Sequence, residues 1–76
     1  MLNNKLMRRD VAIEIIAEMI ADNSMELDKE KNEDRIIGLR EKRKKFKEER
    51  EKVYSGDEET IDYVIEVYGS YLKDQR

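Results

Sequence analysis

The amino-acid sequence predicts an all-α fold of three helices in one small domain, residues 1–76, which we expect to be oligomeric. The chain has no proline, three glycines and 46% charged residues, and its charged residues are mostly strong helix formers. Its apolar residues recur at intervals of three and four, the period of a helix face, rather than alternating as in a strand. A chain of 76 residues forms one domain at most.

The first helix is predicted from about Asn4 to Asp22. On a helical wheel its apolar residues cover an arc of about 240°, far wider than the stripe of a simple surface helix. The members of this arc are Val11, Ala12, Ile13, Ile15, Ile16, Ala17, Met19 and Ile20. Such a helix packs against neighbours on two sides, as the central helix or as a dimer seam. The run Asp22-Asn23-Ser24 predicts the helix exit, because these side chains compete for backbone groups.

The second helix is predicted to start between Asp28 and Asn32 and to end near Tyr54. Its apolar residues form only a narrow stripe, and Arg43 and Arg50 occupy positions in that stripe. Lys and Glu pairs four residues apart stabilise such a helix in water, each by about 0.2–0.5 kcal/mol. Most of the girth of this helix is therefore expected to face solvent.

The third helix is predicted to run to about Lys73. Gly56 supplies a left-handed turn before it, and Ser55 with Glu58 fits a capping box. Its apolar stripe consists of Ile61, Val64, Ile65, Tyr68 and Leu72. Because the connection is about three residues long, the long charged helix and the C-terminal helix are expected to form an antiparallel hairpin.

Charge is concentrated in one part of the chain. Residues 40–52 carry eight Lys or Arg and four Glu, while the C-terminal segment is acidic. In the predicted hairpin, Arg50 approaches Glu58 and Asp62, and Arg43 approaches Glu66. Internal pairing is the first interpretation of the basic segment, and binding of a protein or of nucleic acid is the alternative.

Composition excludes several kinds of chemistry. The chain has no His and no Cys, so it has no imidazole base, no thiol nucleophile and no disulfide. It also lacks both usual ligands of tetrahedral zinc and any glycine-rich phosphate loop. We therefore predict a protein that is not an enzyme and has no cofactor.

Small size and the wide apolar arc together predict a homo-oligomer. A domain of this size buries only about 60% of its unfolded surface and usually needs an added source of stability. Without disulfide or metal, a second subunit is what remains. We expect the oligomer seam at Ile13, Ile16 and Ile20 of the first helix.

No segment approaches the roughly 20 apolar residues of a membrane span. The N-terminus also lacks the apolar block of a signal peptide. The sequence predicts a cytoplasmic protein without membrane contact.

Two surfaces are candidates for binding. Arg40, Arg43, Lys44 and Lys47 lie within about 120° on the wheel of the second helix, and we call them the basic stripe. Tyr63, Val67 and Tyr71 form a row beside the apolar stripe of the third helix, and tyrosine is enriched at interfaces. We predict that a protein partner contacts both sets together.

The function predicted from these features is non-enzymatic protein binding by a small cytoplasmic regulator or inhibitor, of the antitoxin or counter-defence type, that occludes its partner. One alternative is nucleic-acid binding through residues 40–50. The other is a structural oligomerisation module.

Two short features, Arg8-Arg9-Asp10 and Asp62-x-Val64-Ile65, resemble the small helical antitoxins that inhibit Fic adenylyltransferases. The inhibitory motif of that family has Ser or Thr followed four residues later by Glu. Here Ser24 is followed at that distance by Asp28. Since the motif that would carry the activity is missing, the sequence is not assigned to that family.

Overall fold

The computed structural model describes residues 4–75, and the side chains from Leu6 onward. Within this range the predicted all-helical fold of three helices is confirmed, with no strand. The elements are α1 (Asn4–Lys29), α2 (Glu33–Tyr54), α3 (Glu58–Tyr63), a π-helical segment (Val64–Tyr68) and α4 (Gly69–Gln75). The last three follow one another without a break and are called the C-terminal helix, residues 58–75.

The first helix is longer than predicted, because α1 continues through residues 22–24 to Lys29. Two polar side chains that predicted an exit make tertiary or helical bonds instead. The Nδ2 group of Asn23 donates to the carbonyl oxygen of Leu39 at 3.0 Å, and Ser24 Oγ donates to the carbonyl of Ile20. The predicted turn at residues 22–24 is wrong, because these hydrogen bonds give the polar side chains partners while the backbone stays helical.

Short polar side chains define the two connections. Asn32 caps α2 with its Oδ1, which accepts from the backbone N–H groups of Asp34 and Arg35 at 2.9 and 3.2 Å. This agrees with the predicted start of the second helix. At the other connection Gly56 has φ of 86°, which confirms the left-handed turn.

The predicted capping box at the second connection is wrong. Ser55 Oγ donates to the carbonyl of Lys52 and so belongs to the end of α2. Asp57 is the N-cap of α3, and its carboxylate accepts from the Thr60 backbone N–H. The Thr60 hydroxyl also donates to this carboxylate, and these hydrogen bonds hold the pKa of Asp57 below its usual value.

The core gathers apolar residues from all three helices. Its buried members are Ala12, Ile16, Met19, Phe46, Val53, Ile61, Val64, Tyr68 and Leu72. The apolar stripe predicted for the third helix supplies four of these, and its remaining residue, Ile65, is partly buried against them. The burial of Tyr68 agrees with its expected place in the core.

The helix α1 contacts both α2 and the C-terminal helix, as its wide apolar arc indicates. Ile16 is fully buried among residues of its own chain, which corrects its assignment to an oligomer seam. Ile13 and Ile20 are partly buried against the same core. Val11, near the N-terminal end of α1, stays exposed, because the apolar arc of α1 is wider than the two neighbouring helices cover.

The π-helical segment is a feature that the sequence pattern did not predict. The backbone N–H of Gly69 donates to the carbonyl of Val64, five residues earlier, which is the π-helical hydrogen bond. A Cβ atom at Gly69 would lie 3.3 Å from Cδ1 of Ile15. Glycine therefore lets the C-terminal helix approach α1 closely at this level.

The described part of the molecule is elongated, measuring 50 × 26 × 15 Å along its principal axes. Within residues 4–75, none of the helices combines the length and the apolar character that crossing a membrane requires.

Candidate functional site

The basic stripe of α2 lies on a shallow depression of the surface, which Glu48 and Glu51 also line. Its members are Arg40, Arg43, Lys44 and Lys47, of which Arg43 is half-buried and the others are exposed. The guanidinium of Arg43 donates to Ser24 Oγ of α1. The bond between Arg43 and Ser24 and the carboxylates among the cations therefore make this surface less favourable for binding a phosphate backbone.

Two of the predicted ion pairs between the second and third helices are wrong. Asp62 pairs with Arg8 of α1, with 2.5 Å between Oδ1 and Nη2, rather than with Arg50. Arg43 bonds to α1, as described above, rather than to Glu66. The physical reason is that α1 lies beside both helices and supplies nearer partners. The Arg8 pair is exposed, so it contributes no more than about 1 kcal/mol.

A second depression, which we call the aromatic groove, lies where the three helices meet. One wall comes from the C-terminal helix and consists of Tyr63, Val67 and Tyr71, which line the groove together. These side chains are 40%, 45% and 49% exposed. The predicted tyrosine row is thus an exposed apolar and aromatic surface.

The floor of the aromatic groove is part of the core. Met19, Phe46 and Tyr68 line it, and all three are buried. The rings of Phe46 and Tyr68 meet edge to face with centroids 5.4 Å apart. The ring of Tyr63 meets Tyr68 in the same way at 5.2 Å. Aromatic pairs of this geometry contribute about 0.5–1.5 kcal/mol each beyond their buried area.

The contact between Tyr63 and Tyr68 follows from the π-helical segment. In a regular α-helix, residues five apart point about 140° away from each other. In a π turn, residue i is bonded to residue i+5, so these two positions become neighbours. Sequence reasoning based on a regular helix therefore placed Tyr63 away from the core, and the structure makes it part of the groove wall.

A hydrogen bond fixes the ring of Tyr68 at the edge of the floor. Its hydroxyl donates to Oε1 of Glu49 on α2 at 2.7 Å. Burial of the phenol, together with this bond and the nearby negative charge, raises the pKa of Tyr68 well above its usual value of 10.0. The hydroxyl is therefore protonated, and acts as a donor, throughout the neutral range.

The opposite walls of the aromatic groove are polar, and all but one of their residues are charged. From α1 come Asp22, Asn23 and Glu26, and from α2 come Lys42 and Lys45. Asn23 is 3% exposed, and its Oδ1 atom has no hydrogen-bond partner. Sequence reasoning missed this wall because the Asp22-Asn23-Ser24 run was interpreted as a turn.

The two predicted binding surfaces lie on different sides of α2. Lys42 and Lys45 face the aromatic groove, whereas Lys44 and Lys47 line the other depression. Residues 42 and 44 are about 160° apart on a helical wheel. The structure therefore does not bring the tyrosine row and the basic stripe together, and the predicted joint surface is corrected to two separate ones.

Within the part of the chain that the structure describes, no group of three His, Cys, Asp or Glu side chains is placed to hold a metal ion. The polar atoms of the aromatic groove are an amide, carboxylates, ammonium groups and phenols. What this set can do is form hydrogen bonds and ion pairs around an apolar floor.

Comparison with models of protein families, with curated proteins and with solved structures finds no match.

Proposed function

We propose that this chain is a non-enzymatic protein-binding module, a small regulator or inhibitor that acts in the cytoplasm by covering a surface of its partner. The aromatic groove is the observation that supports this proposal. It combines three exposed apolar or aromatic side chains, Tyr63, Val67 and Tyr71, with a buried floor. Anchors at protein interfaces are typically tyrosine or arginine side chains in well-packed surroundings.

The proposal includes the antiparallel pairing of α2 with the C-terminal helix. Phe46 and Glu49, one helical turn apart on α2, both contact Tyr68. In such a hairpin the tyrosine wall is held against a helix that is otherwise solvated. A wall with little freedom loses less conformational entropy on binding, which favours affinity.

The proposal also includes self-association, with a seam that differs from the predicted one. Since Ile16 belongs to the core, the exposed apolar residues near the N-terminal end of α1 replace it. Met7 and Val11 are 50% and 45% exposed and line a depression with Ile65. Met7→Glu combined with Val11→Glu should convert a dimer to a monomer in sedimentation equilibrium. An oligomer that survives both changes contradicts this seam.

Affinity capture with the full chain from the native host, followed by mass spectrometry, tests the binding function. Tyr71→Ala should reduce capture of the partner about 30-fold or more, the effect of losing an interface anchor. Tyr54→Ala is the matched control, because Tyr54 is 50% exposed and lies outside the groove. Equal capture by both variants contradicts the proposal.

The same experiment separates the nucleic-acid alternative. The basic stripe carries Arg40, Lys44 and Lys47 as exposed cations, and phosphate binding through them would weaken steeply with salt. Capture that survives nuclease treatment and moderate salt supports the protein partner. Capture that is lost under either condition assigns the function to nucleic acid instead.

A further inference from the structure

We propose that the aromatic groove is a binding site for an arginine side chain carried by the protein partner, with an acidic residue beside it. This inference rests on the proposed function and names the partner chemistry that the groove recognises. Asn23, which lies in the groove and is almost completely buried, is the residue that carries it.

The amide of Asn23 has a fixed orientation. Its Nδ2 group donates to the carbonyl oxygen of Leu39, and a carbonyl can only accept. The amide therefore cannot turn over, and Oδ1 is an acceptor in its only favourable orientation. This Oδ1 atom is buried and has no donor. Buried polar atoms in folded proteins nearly always have a partner. Because this oxygen has almost no accessible surface, a ligand reaches it only when the neighbouring side chains of the groove move aside, and the ligand then supplies the donor.

The surroundings of Asn23 favour a cationic donor. Asp22 and Glu26 lie on the same wall, and a carboxylate bonds to a guanidinium or ammonium more strongly than to a neutral donor. Tyr63 and Tyr71 form the facing wall, and tyrosine rings attract cations above their faces. The acceptor, the carboxylates and the aromatic wall thus favour the same kind of side chain.

Arginine fits these groups better than lysine. Its planar guanidinium presents five donors in a fixed fork and stacks on aromatic rings, whereas lysine has a compact ammonium. One guanidinium can therefore bond to Asn23 Oδ1 and to a carboxylate while lying against Tyr63 or Tyr71. Its apolar stem can pack on the exposed side chain of Val67.

The remaining wall sets a second requirement on the partner. Lys42 and Lys45 line the groove and have no ion pair among the described residues. They repel a partner segment that is purely basic and attract an acidic residue next to the arginine.

A selection of helix-forming peptides displayed as a library, with the full chain as bait, tests this inference. Peptides that bind should be enriched in arginine with Asp or Glu within one helical turn. In a synthetic copy of the best peptide, replacing arginine by citrulline, which removes the charge and turns one NH2 group into a carbonyl oxygen, should weaken binding about tenfold or more. Tyr71→Ala should weaken it as well, and Tyr54→Ala should leave it unchanged.

A double-mutant cycle locates the arginine at Asn23. Asn23→Leu should weaken binding of the arginine peptide about tenfold and leave binding of a peptide with norleucine in place of the arginine nearly unchanged, because the two changes remove the same interaction. Asn23→Ala is the second variant should leucine disturb the packing.

The outcomes distinguish this inference from the proposed function. Peptides that depend on Tyr71 but carry no arginine, or an arginine uncoupled from Asn23, overturn the inference and leave the protein-binding proposal standing. Peptides indifferent to Tyr71, or a library that yields no binder, overturn the inference, and affinity capture with Tyr71→Ala then decides the proposed function separately.

Discussion

Both sides of α2 carry basic residues, four in the basic stripe and two on the aromatic groove, yet they differ in what surrounds the charges. On the side of the basic stripe, Arg43 is bonded to α1 and Glu48 interrupts the positive surface. On the other side, Lys42 and Lys45 border a groove with the buried ring of Phe46 as its floor. An exposed charge alone is well solvated, so it gives a weak indication of binding.

The difference shows which features point to a ligand. The groove has exposed aromatic area and a buried acceptor without a donor, neither of which stabilises the free chain, and both lie beside a packed floor. The basic stripe has neither exposed aromatic area nor an aromatic floor, although Nε of its Arg43 is also buried without an acceptor. The comparison therefore supports the proposal that the groove side of α2 is the binding surface, and each prediction below either contradicts that proposal or sharpens it.

The largest effect is expected at the groove floor. Phe46→Ala removes a ring that is 3% exposed and packed on Tyr68. Its cost should be about 3–5 kcal/mol, the usual range for phenylalanine in a core. Ile37→Ala on the same helix removes a side chain that is 57% exposed and should cost about 0.5 kcal/mol or less. Urea denaturation of both variants measures the difference, and equal costs would show that the floor is not packed.

A smaller effect is expected from the hydroxyl of Tyr68. Tyr68→Phe leaves the half-buried carboxylate of Glu49 without its donor and should cost about 1.5 kcal/mol, the lower end for a hydrogen bond to a charged group. Tyr54→Phe, at an exposed site, should change the free energy of unfolding little.

Ionisation of Tyr68 should also make the stability of the fold depend on pH. The folded state raises the pKa of Tyr68 above its usual 10.0, so the unfolded chain releases this proton first. The contribution of the protonated Tyr68 hydroxyl to the free energy of unfolding is fully present below pH 10 and is lost as the pH rises above 10. Unfolding followed from pH 8 to 11 should show a steeper loss of stability in the wild type than in Tyr68→Phe. Parallel curves would contradict the raised pKa.

The turn that positions the C-terminal helix gives the next effect. Gly56→Ala places a side chain at a φ of 86° and should cost about 1–2 kcal/mol. Gly38→Ala is the matched change within a helix, with no atom within 4 Å of the added Cβ, and it should stabilise by about 1 kcal/mol. Thermal unfolding of the two variants should therefore shift in opposite directions.

The smallest effect is expected at the basic stripe. Lys44→Gln and Lys47→Gln each remove a charge that lies four residues before Glu48 or Glu51, a spacing at which opposite charges contribute about 0.2–0.5 kcal/mol. Binding of the selected peptide should be unchanged in calorimetry, whereas Lys42→Gln and Lys45→Gln should weaken it. A loss of peptide binding from the stripe variants would reverse the comparison.

Periodicity predicted the helices. The apolar residues of the third helix recur at helical spacing, and the charged residues of the second form pairs four residues apart. It also placed Tyr68 in the core and Gly56 in a left-handed turn. It did not predict the path of α1 past Asn23, since the bond to Leu39 is formed only after the second helix packs. Local signals at the 22–24 run favour a turn, and tertiary contacts override them.

The candidate site was only partly predictable for the same reason. The tyrosine row was visible as a pattern, but its neighbours were not. The π-helical segment changes which residues share a face, so Tyr63 contacts Tyr68 although a regular helix separates them. The carboxylates and the acceptor of α1 come to the groove through packing between helices that are distant in sequence.

Mapping of chemical shifts by NMR, with the isotope-labelled full chain and the selected peptide, tests the assignment of binding to the groove most directly. We predict that the largest shifts fall on residues 22–26 and 63–71 and on the side-chain amide of Asn23. Shifts concentrated instead on Arg40, Lys44 and Lys47 would contradict it and make the basic stripe the binding surface.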